Sequence, residues 1–195
     1  MRFTSIAISG PVASGTTTAA KSVAKKLGLE YKSAGDFFRK YMLKHNIPLH
    51  AHSQIPNDID QKVDRDLTTL ADGSGVVIEG RYIGYFTRNM AHVLKVLLTA
   101  DEKIRIKRAT ERIHTHTETA QDIKKREDEN DAKFRKLYAN ENFLDPNFFD
   151  LVIDTTDLKP NKVTEQILRK FSTHSINLVS TLSNIEGSTG SNSKK

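Results

Sequence analysis

The chain reads as an α/β protein: a three-layer α/β/α sandwich around a parallel five-stranded sheet. Three observations predict this. Strand-like runs without Pro or Gly, beginning with residues 3–8, alternate with longer stretches of helical periodicity. That alternation builds a parallel sheet covered on both faces. Glycine, carboxylate and arginine residues gather just after two of the runs, at Gly10 and Gly15 and again at Glu79, Gly80 and Arg81. Those positions fall at the carboxyl ends of strands, where open sheets of this kind hold ligands.

The first run leads into Ser9-Gly10-Pro11-Val12-Ala13-Ser14-Gly15, and Thr16-Thr17-Thr18 opens a helix. Strand, Gly-x-x-x-x-Gly, helix is the outline of a phosphate-cradling loop, whose backbone N–H groups and helix N-terminus point at an anion. Ala19, Ala20, Val23, Ala24 and Leu27 share one helical face, and Gly28 sits at the C-cap position. Thr17 occupies the hydroxyl position that holds Mg²⁺ in such loops. One piece departs from the pattern: the motif calls for Lys after the second glycine, and this chain has Thr16.

Residues 29–32 form a second strand candidate. Ser33 through Asp36 then read as a turn and helix N-cap, with Phe37, Phe38, Tyr41 and Met42 as the helix's apolar face. Arg39 falls off that stripe. Residues 46–56 carry two prolines and the pair His50 and His52, and read as a loop; no partner at ligand spacing makes the histidines a metal site. Ile59, Val63, Leu67 and Leu70 mark an amphipathic helix capped by Asn57 or Asp58, with Asp60, Asp64 and Arg65 on its polar side. Residues 76–78 form a buried strand running into Glu79. That carboxylate is placed to order Mg²⁺, and Arg81 to hold a phosphate.

Residues 93–98 are the next strand. A helix from Asp101 to about His114 follows, carrying Arg105, Lys107, Arg108 and Arg112. His114 and His116 fall in a break. Thr119 and Asp122 have the spacing of a capping box before a long charged helix that holds Arg126 and Arg135. Residues 150–154 form the last strand, and Pro160 starts a helix with Val163, Ile167, Leu168 and Phe171 inward. From 173 to 195 the composition turns to Ser, Thr, Asn, Gly and Lys, as in a flexible tail.

No run approaches the length of a membrane span, the first residues lack a signal-peptide pattern, and there is no cysteine. A cytoplasmic protein without disulfides is expected. The net charge of +6 serves an anionic substrate or, less simply, nucleic acid. The basic residues are interleaved with acids along helices and no aromatic-rich RNA motif occurs, so nucleic acid ranks last.

In order along the chain, the Gly10–Gly15 loop, Ser33-Ala34-Gly35-Asp36-Phe37-Phe38-Arg39, Ile59 through Arg65, Val76 through Arg81, and Arg126-Glu127 to Arg135 and Tyr138 with Asp150 through Thr155 closing resemble the archaeal-type cytidylate kinases. These are P-loop nucleoside monophosphate kinases with a helical lid. The resemblance covers nearly all of residues 1–172, and implies an acceptor-binding region at about 33–72 and a lid at about 112–138. It implies ATP as donor, CMP or dCMP as acceptor, and Mg²⁺. Gly10, Pro11, Val12, Ala13, Ser14, Gly15, Thr16, Thr17 and Thr18 would hold the donor phosphates, with Thr17 and Glu79 serving the metal. Ser33, Asp36, Arg39, Asp64 and Arg81 would line the acceptor. Arg81, Arg126 and Arg135 would grip the transferring group. Thr16 stands where such kinases use lysine, so a lid arginine is the expected substitute, Lys21 being expected to point away from the loop. Two readings stay beside this one: a nucleotide-binding regulatory protein without turnover, and a related small-molecule kinase with another acceptor. A monomer is the expected state.

Overall fold

The computed structural model describes residues 2–48, 51–73, 75–111 and 119–186. Five strands, β1 (Ser5–Ser9), β2 (Glu30–Ser33), β3 (Val76–Glu79), β4 (Val93–Thr99) and β5 (Leu151–Asp154), form one parallel sheet in the order β2-β3-β1-β4-β5. Strand β1 is central and buried along its whole length. Strand β3 ends beside it, Glu79 lying opposite Ile8, while β4 runs two residues further, Leu97 lying opposite Ser9. The loop after β1 and the residues after β3 therefore emerge side by side at one edge.

Side chains of β1 alternate between two cores, as the pleat requires. Ile6 and Ile8 pack with Val77, Leu94, Val96 and Leu98 against helices α1 (Thr16–Leu27) and α7 (Pro160–Glu186). Ala7 faces the other way with Ile78, toward α3 (Asn57–Asp72) and the short α4 (Ile83–Phe86). Three layers result, as the sequence predicts. Helix α1 ends at Gly28 in the left-handed region, φ 66°. Ser33 ends β2 and caps α2 (Ala34–Lys44) at once, its hydroxyl accepting from the Asp36 N–H. Asp101 caps α5 (Glu102–Thr110), and Thr119 with Asp122 forms the expected capping box of α6 (Ala120–Leu137).

Several details differ from the sequence reading. Pro56, not Asn57 or Asp58, takes the N-cap position of α3, and no side chain caps that end. Asp60 and Asp64 belong to the buried face of α3 with Val63 and Ala71, while Leu70 is exposed. The acids are buried because α6 supplies partners for them, which no periodicity within α3 reveals. Helix α4 has no hydrophobic periodicity of its own length to betray it; it is fixed by Ser9, whose hydroxyl donates to the Gly80 carbonyl and accepts from the Gly84 N–H. Helix α7 continues to Glu186, through residues read as the start of a tail. Residues 187–195, His50, His114 and His116, and the 112–118 part of the expected lid lie outside the described residues. Among the described residues, no helix is long and apolar enough to cross a membrane.

A further, aromatic core joins α4 to α6. Phe134 is fully buried, with ring centroids of Tyr85 at 5.0 Å, Phe143 at 4.9 Å and Tyr82 at 5.1 Å. This cluster anchors α6 to the strand ends.

Candidate active site

The loop after β1 folds as its glycines demand. A Cβ on Gly10 would lie 2.3 Å from the Leu98 carbonyl oxygen and 2.5 Å from Ser14 Oγ, so only glycine fits. Gly15 has φ 97°, in the left-handed region, and caps α1. Ala13 is also left-handed, φ 62°, an uncommon state for a residue with a Cβ and one that concentrates at functional loops. The loop is held from below by the Thr155 hydroxyl, which donates to the Ser14 carbonyl at 2.9 Å.

Glu79 stands beside the first turn of α1. Its Oε1 accepts from the hydroxyls of Thr17 (3.0 Å) and Thr16 (3.2 Å); its Oε2 accepts from Tyr31 (2.9 Å) and Ser33 (3.0 Å). Ser33, expected at the acceptor, is thus tied to the same carboxylate as the P-loop threonines. Burial, and then the charge and hydrogen bond of Glu79, push the Tyr31 hydroxyl up, so it remains a donor. Lys21 is exposed, with its Nζ 5.5 Å from the Tyr31 ring centroid. Thr17 and Glu79 offer the hard oxygen donors that suit Mg²⁺, and their 3.0 Å separation fits a cation bound by both directly or through water.

Positive charge comes from the other side. Arg81 follows β3, and its Nη1 lies 3.5 Å from the Arg126 carbonyl on α6. Burial pushes the Arg81 guanidinium below its usual range; Arg126 and Arg105 push it further, against Tyr82 and Glu127. Arg105, buried on α5, donates from Nη1 to the Val12 carbonyl (3.1 Å) and to Glu127 Oε1 (2.7 Å). The same Glu127 oxygen accepts the Val12 N–H at 2.9 Å. Arg135 is not brought into this group. It is exposed and bonds Asp131 (2.7 Å) and Asn140 (2.7 Å). The reason is helical geometry: nine positions from Arg126 at roughly 100° each leave it about half a turn round α6. Arg39 is exposed and paired with Asp36 one turn before it.

Asp64 lies deeper, accepting from the Tyr138 hydroxyl at 2.7 Å. Asp60 pairs with Lys133, and His52 Nε2 lies 3.1 Å from its Oδ1. Burial, then the neighbouring Asp60, raises the Asp64 carboxyl to about 7, against the pull of Tyr138 and Lys133. A carboxyl raised on folding contributes stability below its unfolded value near 4 and loses it as pH rises through about 7. Asp64→Asn is therefore expected to match wild type near pH 4 and to exceed it by about 1–3 kcal/mol at pH 8 in urea unfolding. Equal pH profiles for the two proteins would refute this.

Sequence reasoning did not single out Arg105, Glu127, Tyr31 or Arg108 as site residues. A signal existed for the first: Arg105 and Ala109, four apart, share the buried face of α5. Arg108 donates to the Thr155 hydroxyl (3.0 Å) and to the carbonyls of Thr155 and Thr156. It borders a cavity of about 340 Å³ beside the loop, lined also by Gly15, Thr18, Leu158 and Pro160.

Parallel strand order, glycine loop and helix N-terminus together define a P-loop kinase fold. Solved structures of that fold agree: a gluconokinase from Sinorhizobium meliloti (TM-score 0.62, 14% identity, covering 93% of this chain and 99% of that one) and a shikimate kinase from Acinetobacter baumannii (TM-score 0.58, 16% identity, 88% and 94%). The profile of the cytidylate kinase-like family matches residues 30–157. The cytidylate kinase of Archaeoglobus fulgidus is 36% identical over 170 residues, covering 84% of this chain and 92% of its own. That of Sulfurisphaera tokodaii is 32% identical over 167 residues, 83% and 92%. The chain belongs to the cytidylate kinase-like family and is a phosphotransferase.

Proposed function

We propose that the protein is a nucleoside monophosphate kinase that moves the terminal phosphoryl group of ATP onto CMP or dCMP. The observation that carries this reading is the Thr17–Glu79 pair at the foot of a Gly10–Gly15 loop whose backbone is bent for an anion. The loop amides and the N-terminus of α1 bind the donor phosphates. The cavity beside Gly15, Thr18 and Arg108 has room for the donor's base and ribose. Thr17 and Glu79 would hold Mg²⁺, which would offset the negative charge of the phosphates. Ser33, Asp36 and Arg39 at the start of α2, with Asp64 on α3, form the acceptor side. Arg81 and Arg126 grip the group in transit and stabilise the charge that develops on it. No covalent intermediate is required; positioning and electrostatics carry phosphoryl transfer. The protein acts in the cytoplasm as a monomer on this reading.

Thr16 favours a second reading, nucleotide binding without turnover, because no ammonium extends from that position. A coupled assay over CMP, dCMP, UMP, AMP and GMP, paired with calorimetry of MgATP binding, separates the two. The kinase reading expects transfer to CMP or dCMP above the others. Heat of binding with no transfer to any of them supports the second reading, and no heat at all refutes both.

A further inference from the structure

The neutral residue at position 16 raises the question of what charge serves the loop instead. Arg105 is 9% exposed, and its Nη1 is fixed on the Val12 carbonyl at the loop's crest. Its Nε is buried and has no hydrogen-bond partner among the described residues, and neither has Ser14 Oγ within the loop itself. One of these buried donors lies in the loop and the other belongs to the guanidinium bound to it, and a buried donor without an acceptor calls for an explanation. Glu127 is what keeps the guanidinium there. Its Oε1 takes the Arg105 Nη1–H and the Val12 N–H together, so one carboxylate oxygen joins α6, α5 and the loop.

We propose that Glu127 is a positioning residue that holds Arg105 over the loop, and that Arg105 there supplies the charge that a lysine at position 16 would supply. This rests on the kinase reading above. It makes positions 16, 105 and 127 energetically one unit: a lysine at 16 is redundant while Arg105 is held, and becomes useful once it is not. Arginine suits the task because its fork can keep one donor on Val12 and offer others to a phosphate oxygen.

A double-mutant cycle tests this. Glu127→Gln keeps an acceptor for the Val12 N–H but removes the ionic hold on Arg105. It is expected to lower kcat roughly tenfold to fiftyfold, with the acceptor KM within about threefold of wild type. Thr16→Lys in the wild-type background sets a reference factor, whatever its sign, since it also takes the Thr16 hydroxyl from Glu79; in the Glu127→Gln background it is expected to raise kcat by at least about tenfold more than that factor. Lys21→Met, a charge lost nearby, leaves kcat within about threefold. The idea is overturned if Thr16→Lys gives the same factor in both backgrounds, or if Glu127→Gln keeps full kcat. Should Glu127→Gln fail to fold, Arg105→Lys with and without Thr16→Lys runs the same cycle. If wild type binds MgATP but transfers to no acceptor, the kinase reading is what fails. The inference is then read from calorimetry: Glu127→Gln weakens MgATP at least about tenfold and Thr16→Lys restores it, and unchanged affinity overturns it.

Discussion

Arg81→Met is expected to lower kcat/KM for phosphoryl transfer by about 10²–10³, equivalent to about 3–4 kcal/mol of transition-state stabilisation. The residue sits two positions past Glu79 and reaches the backbone of α6 at Arg126. It stands among like charges: Arg126 and Arg105 both push its guanidinium down, after burial. Such crowding is costly in the resting protein and useful only when a phosphate arrives to share the donors. Methionine keeps the apolar stem and removes the repulsion. Stability should therefore hold or rise while activity falls, and that opposite movement separates a functional arginine from a structural one. Calorimetry should find MgATP affinity within about fivefold of wild type. A variant within tenfold of wild-type kcat/KM would remove Arg81 from the proposed mechanism.

Phe134→Ala should produce the largest loss of stability, about 3–5 kcal/mol by urea unfolding. The ring is fully buried, and it touches Tyr82, Tyr85, Tyr138 and Phe143 at centroid distances from 4.9 to 5.5 Å. Alanine leaves a void that four large rings from three segments cannot all close, since each is fixed by its own contacts. Tyr82 is further tied by its hydroxyl to the Asn130 carbonyl at 2.8 Å. A loss under about 1 kcal/mol would mean that the cluster collapses around the gap.

The sheet and the loop were readable from residue order because both are local. Hydrophobic runs give strands, Gly10 and Gly15 give the turn, and Thr119 with Asp122 gives a cap, each within a few positions. What escaped was made by distant pairings. Asp60 and Asp64 looked solvent-facing because their partners, Lys133 and Tyr138, are about seventy positions away. Arg105 looked like one more surface cation because Val12 and Glu127 reach it from two other elements. Arg135 matches a family pattern in type and order, but nine positions from Arg126 put it on the far side of α6, with Asp131 and Asn140. The resemblance supplied the family, and the family profile and the relatives from Archaeoglobus and Sulfurisphaera agree with it.

Helix α6 rests on both walls of the site. At Glu127 it bears on the P-loop, and further along Lys133 and Tyr138 bear on α3 and the turn before it. A rod supported at two points cannot follow one support without pressing on the other. On the proposed assignment of donor and acceptor sides, any free energy that donor binding put into tilting that rod would be felt at α3. Thermodynamic reciprocity then sets the rule: the factor by which each nucleotide alters its companion's affinity is one and the same number.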